Sequence, residues 1–171
     1  MPQGVEVIQG DITQIQADAI VNAANTDLAM GGGVCGAIFR TAGIDALTDA
    51  CNEAGYCPTG SAVVTPAFNI FGARYIIHAV GPVYDRYKPE EAAELLRSAY
   101  RKAIRLAAEK GCETIAFPAI STGIYGYPMD EACRVAVDVC REEVEGTELA
   151  IKLVAFDDRT AEALKQAMAL A

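Results

Sequence analysis

NAANTDLAMGGGVCGAIFR, residues 22–40, carries the chain from an apolar run, Ala19-Ile20-Val21, through a loop with two asparagines and three consecutive glycines into an apolar-periodic segment. Strand, polar turn and helix in that order form the joint of an α/β fold. Gly31, Gly32 and Gly33 lack side chains, so their amides can approach an anion closely. The helix that follows offers unpaired N–H groups and the positive end of its dipole. The joint reads as a phosphate site.

Outward from it, short β-branched runs alternate with longer helical patterns. Strands are expected at 5–8, 19–22, 61–65, 75–79, 114–117 and 149–156. Between 90 and 110, Leu95, Leu96, Ala99, Tyr100, Ala103, Ile104 and Ala107 share one helical face, and Gly111 stops the helix. Residues 130–145 repeat the pattern with Ala132, Val135, Ala136, Val139, Cys140 and Val144, and a last helix begins near Thr160 with Ala161, Leu164 and Met168. This alternation predicts a three-layer α/β/α sandwich with a mixed, mostly parallel central sheet. The chain is expected to form a single domain over residues 1–171.

Ligands of such sheets bind beyond the carboxyl ends of the strands. There the polar punctuation gathers: Gly10-Asp11, the 22–34 loop, the run Ser121-Thr122-Gly123-Ile124-Tyr125-Gly126, and Phe156 with Asp157-Asp158. Two glycine-bearing loops suit a ligand with two adjacent phosphates, although either alone could simply end a strand. Neither is a Walker A motif or a G-x-G-x-x-G fingerprint, which disfavours P-loop chemistry.

Composition narrows the partner. The 171 residues are 52% hydrophobic with a formal net charge of −9, which repels a nucleic-acid backbone but permits a small anion held by backbone amides. No run is long enough to span a bilayer, and MPQGVEVIQGD has no secretory pattern. Six cysteines without a C-x-x-C pair and a lone histidine give no zinc site. The expectation is a cytoplasmic protein with free thiols, no metal and no cofactor.

Several side chains have two readings. Asp11 can accept from an exocyclic amine or cap a turn. Phe156 can stack on a base or join the core. Asn22 and Asn25 can bind a sugar diol or shape a turn. His78, among Ile76, Ile77, Ala79 and Val80, reads as a hydrogen-bonded core residue rather than a catalyst. The charged helix face of Glu90, Glu91, Glu94, Arg97 and Arg101 reads as solvated.

Taken in order, GDIT (10–13), DAIVNAAN (18–25), GGGVCGAIFRTAG (31–43), TPAFN (65–69), YIIHAVGP (75–82) and FPAISTGIYGYP (117–128) resemble the macro domain family over nearly the whole chain. The resemblance implies ADP-ribose or a derivative, carried on a modified protein in one form, as the ligand. It places Asp11 on the adenine amine, the Ile12 amide nearby and Phe156 against the ring. Gly31, Gly32, Gly33 and Val34 would face Ser121, Thr122, Gly123, Ile124 and Tyr125 across the diphosphate, with Asn25 on the distal ribose and Tyr125 as its lid. Tyr127 reads equally well as structural.

The sequence also departs from that family. MacroD-type hydrolases read GVDGAIH where this chain has Cys35 and Phe39, so the aspartate and histidine of that segment are absent together. Three readings follow. The domain is a reader of ADP-ribose; or it hydrolyses a distal-ribose-linked group, an O-acetyl ester or a mono-ADP-ribosyl bond, through a water held by diphosphate and backbone; or Cys35 acts as a nucleophile, its plainer reading being a small packing residue.

Overall fold

A computed structural model describes residues 4–170; Met1, Pro2, Gln3 and Ala171, which enter the readings of the N-terminus and of the domain limits, lie outside the described residues. The elements run β1 (Gly4–Gln9), β2 (Ala19–Ala23), α1 (Gly33–Ala42), α2 (Ile44–Ala54), β3 (Ala62–Pro66), β4 (Tyr75–Ala79), α3 (Pro89–Glu109), β5 (Thr114–Phe117), α4 (Met129–Val144), β6 (Ala150–Ala155) and α5 (Asp158–Leu170). The strands pair in the order β1-β6-β5-β2-β4-β3. Every pairing is parallel except β3 with β4. Their connection is a loop without a helix, and an antiparallel pair is the one that such a short return can close.

The β-branched runs are buried on both faces because helices cover both. Ala19, Val21, Ile77, Ile115, Phe117, Ile151 and Leu153 pack against α3, α4 and α5. Ile20, Ile76, Ala116 and Val154 belong to the core cluster of α1 and α2. Successive residues of a strand point to opposite faces, which is why Ile20 and Val21 enter different cores.

The expected helical faces are the buried ones. Leu96, Ala99, Tyr100, Ala103, Ile104 and Ala107 of α3 are enclosed, and Gly111 follows in the left-handed region at φ 75°. The last helix starts two residues before Thr160, because the Asp157 carboxylate accepts the Thr160 N–H at 2.8 Å and caps it. Helix α2 has no counterpart among the sequence expectations. Gly43 (φ 113°) is both the end of α1 and the start of α2, and only Leu47 and Cys51 of α2 are buried. A single glycine hinge and two apolar anchors leave little periodic signal.

Candidate functional site

Because β1, β2, β5 and β6 run parallel, their carboxyl ends open on the same side of the sheet. A cleft of about 590 Å³ lies there. Asp11 and Ile12 line it from the end of β1, Asn25 and Gly31 to Cys35 from the β2–α1 joint, Ser121 to Tyr125 from the loop after β5, and Phe156 from the end of β6. Apart from Asn22, the residues given a binding or catalytic reading from sequence therefore meet in one cavity.

The two loops present backbone donors. Among the described residues, the N–H groups of Gly33, Val34 and Cys35 in the first turn of α1 have no acceptor, and neither do those of Thr122, Gly123, Ile124 and Tyr125. Gly32 precedes α1 without a side-chain cap, and Gly33 bends the entry with φ 56°. First-turn amides left uncapped beside a dipole end suit an anion. The first turn of α4 lines a separate surface groove, so the second loop contributes amides of its own rather than a helix end.

Asp11 caps a turn, and the geometry leaves room for its other reading. Its Oδ1 accepts the Thr13 N–H at 2.9 Å and the Thr13 hydroxyl at 2.7 Å, capping a short 3-10 turn at Ile12–Gln14. Oδ2 keeps its acceptor capacity. Phe156 is 75% exposed on the cleft wall, which removes the core reading and leaves a free aromatic face.

The asparagines divide. Asn25 closes its own loop, with Oδ1 accepting the Ala29 N–H at 3.0 Å and Nδ2 donating to the Ala29 carbonyl at 3.0 Å. One lone pair and one N–H of the amide are left for a ligand. Asn22 turns into the α1–α2 side of the sheet instead, where its Nδ2 stands 3.0 Å from His78 Nδ1 and its Oδ1 has no partner among the described residues. Asn22 is 1% exposed, so its sugar-binding reading is corrected.

His78 is the core residue expected of it. It is fully buried, and its Nε2 lies 3.0 Å from the Thr65 hydroxyl, which in turn donates to the Pro66 carbonyl at 3.1 Å. Burial lowers its pKa from 6.5 to about 4, so the imidazole is neutral at physiological pH.

Cys35 and Phe39 also separate. Phe39 is buried in the core of α1 and α2 and does not reach the cleft. Cys35 lines it, yet its thiol is given to the loop: the Gly31 N–H donates to Sγ at 3.4 Å and Sγ–H donates to the Ala29 carbonyl at 3.7 Å. No base is hydrogen-bonded to it among the described residues. Tyr125 is half-buried in the cleft wall, and desolvation raises its phenol pKa. Tyr127 is structural, 5% exposed with its ring 4.8 Å from that of Tyr84.

Sequence reasoning missed Ala37, Arg40, Gly81 and Thr160 among the lining residues. Arg40 matters most, because among the described residues it and Asp11 are the only charged side chains on the lining. Cationic residues in a last helical turn ordinarily complement the dipole, and that signal concealed it. Among the described residues no group of metal-ligating side chains converges, and no helix is long and apolar enough to cross a membrane.

Unpaired amides facing a nucleotide-sized cavity, at the carboxyl ends of a mostly parallel sheet, define an anion-binding α/β domain. The Macro domain family model matches residues 21–136. Similar curated proteins include a macro domain-containing protein of Chlorobaculum tepidum, 47% identical over 174 aligned positions covering 99% of each chain. Another, from Salmonella typhimurium, is named O-acetyl-ADP-ribose deacetylase and is 48% identical over 94% of this chain and 92% of its own. Among solved structures, the Oceanobacillus iheyensis macrodomain with ADP matches with a TM-score of 0.91 at 37% identity, covering 97% of this chain and 90% of that one. The Trypanosoma brucei macrodomain in complex with ADP-ribose matches at 0.87 and 36% identity, covering 96% and 68%. The chain belongs to the macro domain family.

Proposed function

We propose that the cleft binds ADP-ribose and that the chain hydrolyses a group carried on the distal ribose, an O-acetyl ester or a protein-linked ADP-ribosyl bond. The observation that carries this reading is the pair of facing loops with unpaired amides, flanked by the Asp11 acceptor and the exposed Phe156 ring. In it, Asp11 and the Ile12 amide take the adenine edge and Phe156 its face. Gly31, Gly32, Gly33 and Val34 oppose Ser121, Thr122, Gly123, Ile124 and Tyr125 across the diphosphate, and the remaining capacity of Asn25 orients the distal ribose.

Among the described residues the lining holds no histidine and no carboxylate besides Asp11. Rate acceleration then comes from position: a water held against the diphosphate, near the reacting carbon, with loop amides stabilising the charge that develops. The names of the Salmonella and trypanosomal relatives support substrate and ligand. The reading takes residues 1–171 as one domain, acting in a reducing compartment such as the cytoplasm, where its six free cysteines stay thiols.

The replacement of the family's acid and histidine by Cys35 and Phe39 favours a second reading, a non-catalytic ADP-ribose module. Incubation with O-acetyl-ADP-ribose and with a mono-ADP-ribosylated protein separates the two. Product above a buffer control supports the hydrolase, and none supports the reader. Calorimetric titration tests both: AMP binding as tightly as ADP-ribose would sink the two-loop clamp.

A further inference from the structure

Beneath the cleft, α3 carries a phenol that no role above uses. Tyr100 is 1% exposed, its ring tilted against Phe117 with centroids 4.9 Å apart. Its hydroxyl accepts the Ile120 N–H at 3.1 Å and donates to the Pro118 carbonyl at 3.2 Å. Both of those residues line the cleft and lead into the second loop. Burial raises the phenol's pKa well above its ordinary value, so the donor persists at physiological pH.

The next residue, Ser121, sits at φ 69°, a left-handed conformation that non-glycine residues seldom hold. Such a conformation persists only where its surroundings over-determine it. Here Tyr100 fixes the residue before it, Ser121 Oγ–H donates to the Pro82 carbonyl at 2.9 Å, and the Ser121 carbonyl accepts the Tyr127 N–H at 3.0 Å. Gly81 leaves the room, since a Cβ there would overlap the Ser121 hydroxyl and the Ile120 side chain.

We propose that Tyr100 is a positioning residue for the second loop: through Pro118 and Ile120 it holds Ser121 left-handed and so aims the unpaired amides of Thr122 to Tyr125 into the cleft. This rests on the reading of the cleft as an ADP-ribose site. A phenylalanine in its place keeps the packing on Phe117 and removes only the hydroxyl, leaving the Ile120 N–H and Pro118 carbonyl to find other partners.

The test is titration of the parent chain and Tyr100→Phe with ADP-ribose and with adenosine, which has no phosphate to clamp. ADP-ribose should bind about tenfold more weakly to the variant while adenosine stays within about twofold. Tyr100→Met, which also removes the hydroxyl, should shift the same ratio and serves if Tyr100→Phe does not fold. An unchanged ratio in the variants, or an equal loss for both ligands, overturns the positioning role. A parent chain that binds ADP-ribose no better than adenosine overturns the cleft reading and this proposal together.

Discussion

The Cys35 thiol bridges two points of the glycine loop, accepting from the Gly31 amide at 3.4 Å and donating to the Ala29 carbonyl at 3.7 Å. Four residues of separation put Gly31 and Cys35 one turn apart, so the first helical turn folds back on its own entry. Cys35 thus shapes the loop that frames the cleft.

A bridging thiol is not a nucleophile waiting for a base. Cys35→Ala is therefore expected to keep turnover of O-acetyl-ADP-ribose within about threefold of the parent and to lose about 1 kcal/mol of stability, since sulfur hydrogen bonds are weak. Rates and thermal melts measured together check this. Abolished turnover with ADP-ribose binding intact would restore the nucleophile reading.

In the proposed function the two oxygens of Asp11 have separate duties, and substitution can divide them. Asp11→Asn can keep the cap on Thr13 through its amide oxygen, but it places an NH₂ where an adenine amine also donates. Affinity for ADP-ribose should fall by about fivefold or more, or about 1–3 kcal/mol, with the melting temperature little changed. Asp11→Ala should lose both affinity and the cap. Calorimetry on the two variants decides, and unaltered binding in Asp11→Asn would remove the adenine role.

Much of this was legible because strand, glycine loop and helix follow one another with little between them. The cleft residues at 11–12, 25, 31–35, 121–125 and 156 all lie at strand ends, where chain order alone predicts convergence. What stayed hidden turned on which way a side chain faces. Asn22 and Asn25 are three residues apart, yet Asn22 still belongs to β2 and points into the α1–α2 core, while Asn25 lies past its end. Phe39 shares a helix with Cys35 but faces that core, and Arg40, next in sequence, faces the cleft.

The sole histidine gives a pH signature with a definite sign. His78 has a folded pKa of about 4 against 6.5 unfolded, with burial the cause. Between those values the unfolded chain binds the proton that the folded chain refuses, so stability is full above about pH 6.5 and falls as pH drops towards 4. The loss by pH 4 is on the order of 3 kcal/mol. Urea midpoints at pH 7.5, 5.5 and 4.5 should decline accordingly, and the imidazole NMR signal should show a neutral ring at pH 5.5. Titration of the folded ring near its ordinary value would contradict the buried network of Asn22, His78 and Thr65.

Among the described residues Arg40 is the only cation on the cleft lining, and it is exposed, with no ion pair or hydrogen bond. Its guanidinium lies back along α1, close to Gly36, one turn nearer the glycine loop. On a chain of net charge −9 a diphosphate approaches against the overall field, so this one free cation offsets repulsion locally. Arg40→Gln should weaken ADP-ribose binding by about three- to tenfold at low salt, and that difference should shrink at about 0.5 M salt, where charges a few ångströms apart are already screened. Adenosine, without phosphates, should not respond. A loss that is the same at every salt concentration, or that adenosine shares, would show that Arg40 acts by packing on α1 rather than by charge.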